Sequence, residues 1–224
     1  MKFKVLKVGF FVLSLVCVGS LLAQNNALPF AGDIAAFKKE DSVRFPAKNQ
    51  ILFIGSSSFT RWTGIQAAFP DHKILNRGFG GSSLADVINY ADEIIFPYHP
   101  KQIVVYCGEN DIAGADTVTG RMVFERFKTL FSIIRKKLPG VSIAYVSMKP
   151  SPSRWHMKEK MIEGNNLIRK FLAKQKQTKY ISVWFAMLGP NGKPMSTLFV
   201  EDNLHMNHHG YAIWQKIIKP HLIK

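Results

Sequence analysis

Cysteine is scarce in this chain: two among 224 residues, Cys17 and Cys107. Cys17 lies in an apolar N-terminal stretch, so a protein that sheds that stretch keeps Cys107 alone. A lone cysteine makes no internal disulfide, and the fold must rest on its core. Acidic side chains are also few, 15 against 30 Lys and Arg, for a formal charge of +15. That imbalance would suit a polyanionic partner. The lysines are scattered rather than gathered in one basic run, which reads as a solubilising surface with no nucleic-acid partner. Internal repeats, low-complexity tracts and any sign of a second domain are lacking. A hydrophobic content of 47% argues against disorder, and the length suits one substantial domain.

The N-terminus carries Lys2, Lys4 and Lys7, then an apolar run from Val8 to Leu22, then Ala23. This is the layout of a secretory signal peptide over residues 1–23, with export to the periplasm or the outside. The run is short for a membrane span, so no stable insertion is expected after cleavage. Acylation at Cys17 is the other reading, and the bulky Val16 before it counts against that. Residues 24–48, with Pro29 and Pro46, read as a lead-in with a short helix around Asp33 to Lys39. The organised domain is expected over 49–224.

Within that domain β-rich runs alternate with helical patterns. The runs are Gln50–Ile54, Lys73–Asn76, Gln102–Tyr106, Val141–Ser147 and Tyr180–Trp184. Helical spacing of apolar residues covers Val118–Leu138 and ends at Pro139-Gly140; further helices are expected over about His156–Lys174 and from His208. Alternation of this kind predicts a parallel sheet covered by helices on both faces. Ligand sites in such sheets lie beyond the carboxyl ends of strands. Three polar segments fall there: "GSSS" after the first strand, "RGFGGSS" after the second and "GEND" after the third. Cys107, at the end of "QIVVY", reads as a buried strand-end residue.

Asp202 and His205, three apart in "EDNLHMNHHGY", could form a carboxylate–imidazole pair that faces a serine across this rim. Gly80-Gly81 lets a backbone N–H approach a ligand closely, and Asn110 offers a side-chain amide. Each feature alone is an ordinary loop feature. Their order along the chain carries the signal.

In that order the four blocks resemble the SGNH hydrolases, the GDSL esterase/lipase superfamily, over about Gln50 to the C-terminus. "FIGSSSFT" maps the nucleophile to Ser57, "NRGFGG" the oxyanion glycine to Gly81, "GEND" the oxyanion asparagine to Asn110, and "DNLH" the acid and base to Asp202 and His205. The resemblance implies a three-layer α/β/α sandwich with a flavodoxin-like sheet. It implies a serine esterase without a cofactor, whose oxyanion hole combines the Ser57 N–H, the Gly81 N–H and Asn110. The family usually has Asp where this chain has Ser56, so three hydroxyls stand in a row; the Gly-x-Ser spacing from Gly55 selects Ser57. A helix is expected from about Ser58. Asp111 is expected to brace its loop. Arg61 and Trp62 follow the nucleophile and could line the substrate cleft, with core packing equally open for Trp62.

The expected substrate is an external carboxylic ester, with short acyl groups on carbohydrate or glycan favoured because no long apolar lid segment is visible. A lysophospholipase or lipase is the alternative, as is a non-catalytic glycan- or lipid-binding member of the fold. Asp202, His205, His208 and His209 also leave a zinc reading open.

Overall fold

The computed structural model describes residues 28–224. The signal-peptide reading and Cys17 lie outside the described residues, as does the start of the lead-in.

Five parallel strands form one sheet: β1 (Ile51–Gly55), β2 (Ile74–Gly78), β3 (Gln102–Tyr106), β4 (Ser142–Val146) and β5 (Thr178–Ile181). Their order is β2-β1-β3-β4-β5. Nine α-helices among the described residues accompany them: α1 (Ala31–Val43), α2 (Ser57–Thr60), α3 (Ile65–Ala68), α4 (Leu84–Asn89), α5 (Ala91–Ile94), α6 (Glu109–Gly114), α7 (Gly120–Lys137), α8 (Lys158–Leu172) and α9 (His208–Ile218).

Alternate strand residues feed two separate cores. Leu52, Ile54, Ile103, Val105, Ile143 and Tyr145 face one side, against Val87 of α4, Phe127 and Leu130 of α7 and Ile168 of α8. Phe53, Val104, Tyr106, Ala144 and Val146 face the other, against Phe59 of α2, Ile65 of α3 and Trp214 of α9. Burial on both faces is why the strands read as nearly unbroken apolar runs. The architecture is the expected three-layer sandwich.

The long helices start and stop where their caps do. The Thr119 hydroxyl accepts from the Met122 N–H at 3.2 Å to open α7, two residues inside the expected start. The Asn207 side chain accepts from His209 and Gly210 N–H groups to open α9 at His208, as expected.

Three elements differ from expectation. The fifth strand is Thr178–Ile181 rather than Tyr180–Trp184. Val183 and Trp184 are buried, but the chain has already left the ladder: the Val183 N–H donates to the Ser147 hydroxyl at 3.0 Å. The second strand runs on to Gly78 and carries a buried Arg77. The expected short helix in the lead-in is the 13-residue α1, with Ile34 in the core. The last two findings meet at one contact. Arg77 projects from β2 to Asp41 and Glu40 of α1, accepts the ring of Phe37 beneath its guanidinium at 4.9 Å, and donates to the Tyr98 hydroxyl at 3.0 Å.

Among the described residues no helix is long and apolar enough to cross a membrane.

Candidate active site

The strand order reverses direction at β1, whose neighbours are β2 on one side and β3 on the other. The crevice beyond the carboxyl ends of β1 and β3 is where such sheets place ligands. Ser57 follows β1, and Asn110 follows β3.

Gly55 ends β1 at φ 128. A Cβ there would meet the Tyr106 carbonyl oxygen at 1.9 Å, so only glycine lets β1 and β3 run this close at the rim. The Ser56 N–H then donates to that same carbonyl at 3.0 Å, and the chain turns into α2 with Ser57 as its first residue. A first helical residue has no intrahelical acceptor for its N–H, so the Ser57 N–H remains available. The expected helix behind the nucleophile is therefore real but a single turn, and it begins at Ser57 itself.

The Ser57 hydroxyl lies 3.0 Å from His205 Nε2, across 148 residues of sequence. His205 Nδ1 lies 2.6 Å from Asp202 Oδ2. The other carboxylate oxygen, Oδ1, accepts from the Leu204 and His205 backbone N–H groups, each at 2.8 Å. Desolvation pushes the Asp202 carboxyl up, but these hydrogen bonds outweigh it and hold the group well below the usual carboxylate range. An ionised Asp202 facing Nδ1 requires the proton on Nδ1, which leaves Nε2 as an acceptor for the Ser57 proton.

Asn110 Nδ2 donates to the Ser56 hydroxyl at 2.7 Å and to the Ser82 carbonyl at 3.0 Å. Gly81, at φ 87, sits in the turn after β2. It does not line the small pocket that holds Ser57 and Asn110. Its neighbour Ser82 brings it near, by donating to the Gly55 carbonyl at 3.1 Å. Asp111 is buried, accepts from the Leu84 N–H at 2.8 Å and from Arg126 at 2.7 Å, and so braces the loop. Burial pushes its carboxyl up, and Arg126 draws it back.

Arg61 is exposed on a groove of about 510 Å³ shared with Asn207, His208, Tyr211 and Gln215. Trp62 also reaches this groove, but its ring is buried against Phe69, Tyr211 and Trp214. His208 and His209 stack on each other at 3.8 Å between ring centroids. Among the described residues no three His, Cys, Asp or Glu side chains converge as a metal-holding group. Cys107 is buried at the end of β3, where burial pushes its thiol well up, and it donates to the Ser82 carbonyl.

Residues 53–213 match the GDSL-like Lipase/Acylhydrolase family. The chain belongs to that family. It is accordingly an enzyme of the ester-hydrolysing class. No curated protein matches this acylhydrolase. Its fold is similar to that of a protein from Streptococcus pneumonia named for platelet activating factor, at 19% identity and TM-score 0.74 over 86% of this chain and 92% of that one. A GDSL-like lipase from Bacteroides thetaiotaomicron is similar at 17% identity and TM-score 0.69, over 84% and 96%. So is an acetylxylan esterase from Geobacillus stearothermophilus, at 14% identity and TM-score 0.60, over 77% and 94%.

Sequence reasoning missed one cluster of this acylhydrolase. Glu109 is buried and ion-paired with Lys149 at 3.1 Å and Arg154 at 3.4 Å, and it accepts from the Tyr106 hydroxyl. Burial lowers the Lys149 ammonium, and Glu109 opposes that shift. Arg154 also donates to Asn110 Oδ1 at 2.8 Å. The signal was present in "MKPSPSRW": two cations in the segment after β4, on the same carboxyl rim as the other blocks.

Proposed function

We propose that this acylhydrolase cleaves short acyl esters, acetyl above all, from carbohydrate or glycan alcohols, with Ser57 as nucleophile, His205 as base and Asp202 as its orienting acid. The observation that carries the mechanism is the continuous chain Asp202–His205–Ser57, at 2.6 and 3.0 Å.

In the first step Ser57 Oγ attacks the ester carbonyl carbon, and its proton passes to His205 Nε2. The carbonyl oxygen becomes an oxyanion held by the Ser57 N–H, the Gly81 N–H and Asn110 Nδ2. Asp202 stabilises the imidazolium. The bond from carbon to the alcohol oxygen then breaks, and His205 returns the proton to that oxygen. Water attacks the acyl-enzyme by the same route, and the acid leaves with Ser57 restored.

Pocket size supports the short acyl group. The pocket at Ser57, walled by Asn110, Arg154 and Leu204, has room for about one water-sized group. That size suits a methyl better than a fatty acyl chain. A separate groove, between the segment after Ser57 and the start of α9, is rimmed by Arg61, Asn207, His208 and Gln215. These offer hydrogen bonds to a sugar alcohol. Similarity in fold to both a lipase and an acetylxylan esterase does not choose between acyl lengths. Export is part of the reading and rests on Lys2, Lys4 and Lys7 ahead of the apolar run Val8–Leu22.

A series of nitrophenyl esters from acetyl to palmitoyl tests the proposal. The expected kcat/KM is highest for acetyl and falls steeply beyond butyryl, and acetylated xylan should release acetate. A maximum at octanoyl or longer would overturn the short-acyl reading.

A further inference from the structure

We propose that Arg154 is a positioning residue of the oxyanion hole: bonded to Asn110 Oδ1, it keeps the amide turned so that Nδ2 faces the reacting carbonyl. The inference rests on the ester hydrolysis proposed above.

The two ends of an asparagine amide have nearly the same shape, so a half-turn exchanges them at little steric cost. Chemically the ends are opposites. Nδ2 stabilises an oxyanion, whereas Oδ1 in the same place repels it. Something must therefore choose the orientation. The Ser56 hydroxyl, 2.7 Å away, cannot choose, because a hydroxyl accepts or donates equally well. The Ser82 carbonyl at 3.0 Å only accepts, and the Arg154 guanidinium at 2.8 Å only donates. Between them they permit one orientation, and Arg154 is the charged member of the pair.

The guanidinium is itself fixed. Its Nη1 faces Glu109 Oε2, and Glu109 is anchored in turn by the Lys149 ammonium and the Lys149 N–H at 3.2 Å. The preceding residue reaches the other half of the site: the Ser153 N–H donates to the Asn203 carbonyl at 3.1 Å, between Asp202 and His205. One segment between β4 and α8 thus bonds to both the oxyanion side and the acid–base loop. Arg154 bonds to Asn110 and Glu109 and has no hydrogen bond to Ser57.

A double-mutant cycle with Asn110 tests this. Asn110→Ala should lower kcat by ~10²–10³. Arg154→Met should lower kcat by about tenfold or more, with KM changed by less than about threefold. In the Asn110→Ala background the same Arg154→Met change should cost less than about twofold, because the group it acts through is gone. A guanidinium that bound substrate, or acted on the oxyanion through space, would cost as much in either background. That result, a loss confined to KM, or an unchanged kcat would overturn the proposal. If Arg154→Met does not fold, Arg154→Gln, which stays polar beside Glu109 but whose amide can donate or accept and so no longer selects the orientation, goes through the same cycle with the same criteria. A second readout does not need activity. The Asn110 side-chain NH₂ resonances, identified by their loss in Asn110→Ala, should shift or broaden in Arg154→Met; unchanged resonances would overturn the proposal. If Ser57→Ala keeps full activity, the reaction assignment is what fails, and the resonance measurement still decides on Arg154.

Discussion

Three adjacent hydroxyls end β1, and their surroundings separate them. Ser57 faces His205 at 3.0 Å, Ser56 accepts from Asn110 at 2.7 Å, and Ser58 is buried with its carbonyl taken by the Tyr211 hydroxyl at 2.9 Å. Ser57→Ala should lower kcat by at least ~10³-fold with folding unchanged. Ser58→Ala should keep most activity, and Ser56→Ala should fall between, having removed a partner of Asn110; steady-state kinetics on nitrophenyl acetate rank the three. Asp202 supplies a prediction in pH. Its folded pKa lies below the unfolded value, so the stability it contributes is complete above the ordinary carboxylate pKa of ~4 and drains away as pH falls below it. Its side chain is 43% exposed, so solvent screening keeps that contribution small. Asp202→Asn should flatten the acid limb of a stability–pH curve below about pH 4 while costing kcat up to ~10⁴-fold, since an amide can hold the wrong imidazole tautomer. An unaltered kcat would separate Asp202 from the reaction.

At the scale of elements, what the sequence made legible was what periodicity and spacing encode. The helix over Gly120–Lys137 was legible from its apolar spacing and from Pro139-Gly140 beyond its end; its start, read at Val118, is set two residues further on by the Thr119 cap. Ser57, Asn110, Asp202 and His205 were legible because each sits in a short block just beyond a strand or before the last helix. Arg77 was not legible, because a charge in an apolar run reads as the end of a strand. Its partners, Asp41 and Tyr98, are 36 and 21 residues away and nothing local announces them. Trp184 misled in the opposite way, since burial after β5 does not require a ladder. Arg154 was missed because a positioning role depends on what Asn110 needs, which no spacing rule states. The Arg77 contact carries a prediction about α1. Arg77→Met strands the largely buried Asp41 carboxylate, so it should lower unfolding stability by about 3 kcal/mol. Denaturant titration checks this, and a change under ~0.5 kcal/mol, the size of an ordinary surface substitution, would mean that the α1 contact is incidental.

For the molecule as a whole, the sheet order matters most. Placing β1 between β2 and β3 sets Ser57 and Asn110 at one crevice, and the segment before α9 returns His205 to it from 148 residues away. The two cores on either face of the sheet fix these loops relative to one another, so the site is assembled by the fold rather than by any one loop. On the proposed mechanism this assembly makes Ser57 the group that carries the acyl chain. Reaction with a small organophosphonate, followed by intact mass measurement and peptide mapping, tests it directly. One adduct per chain is expected, on Ser57, formed in step with loss of esterase activity and absent from His205→Ala. An adduct on Ser56 or Ser58, or loss of activity with Ser57 unmodified, would contradict it.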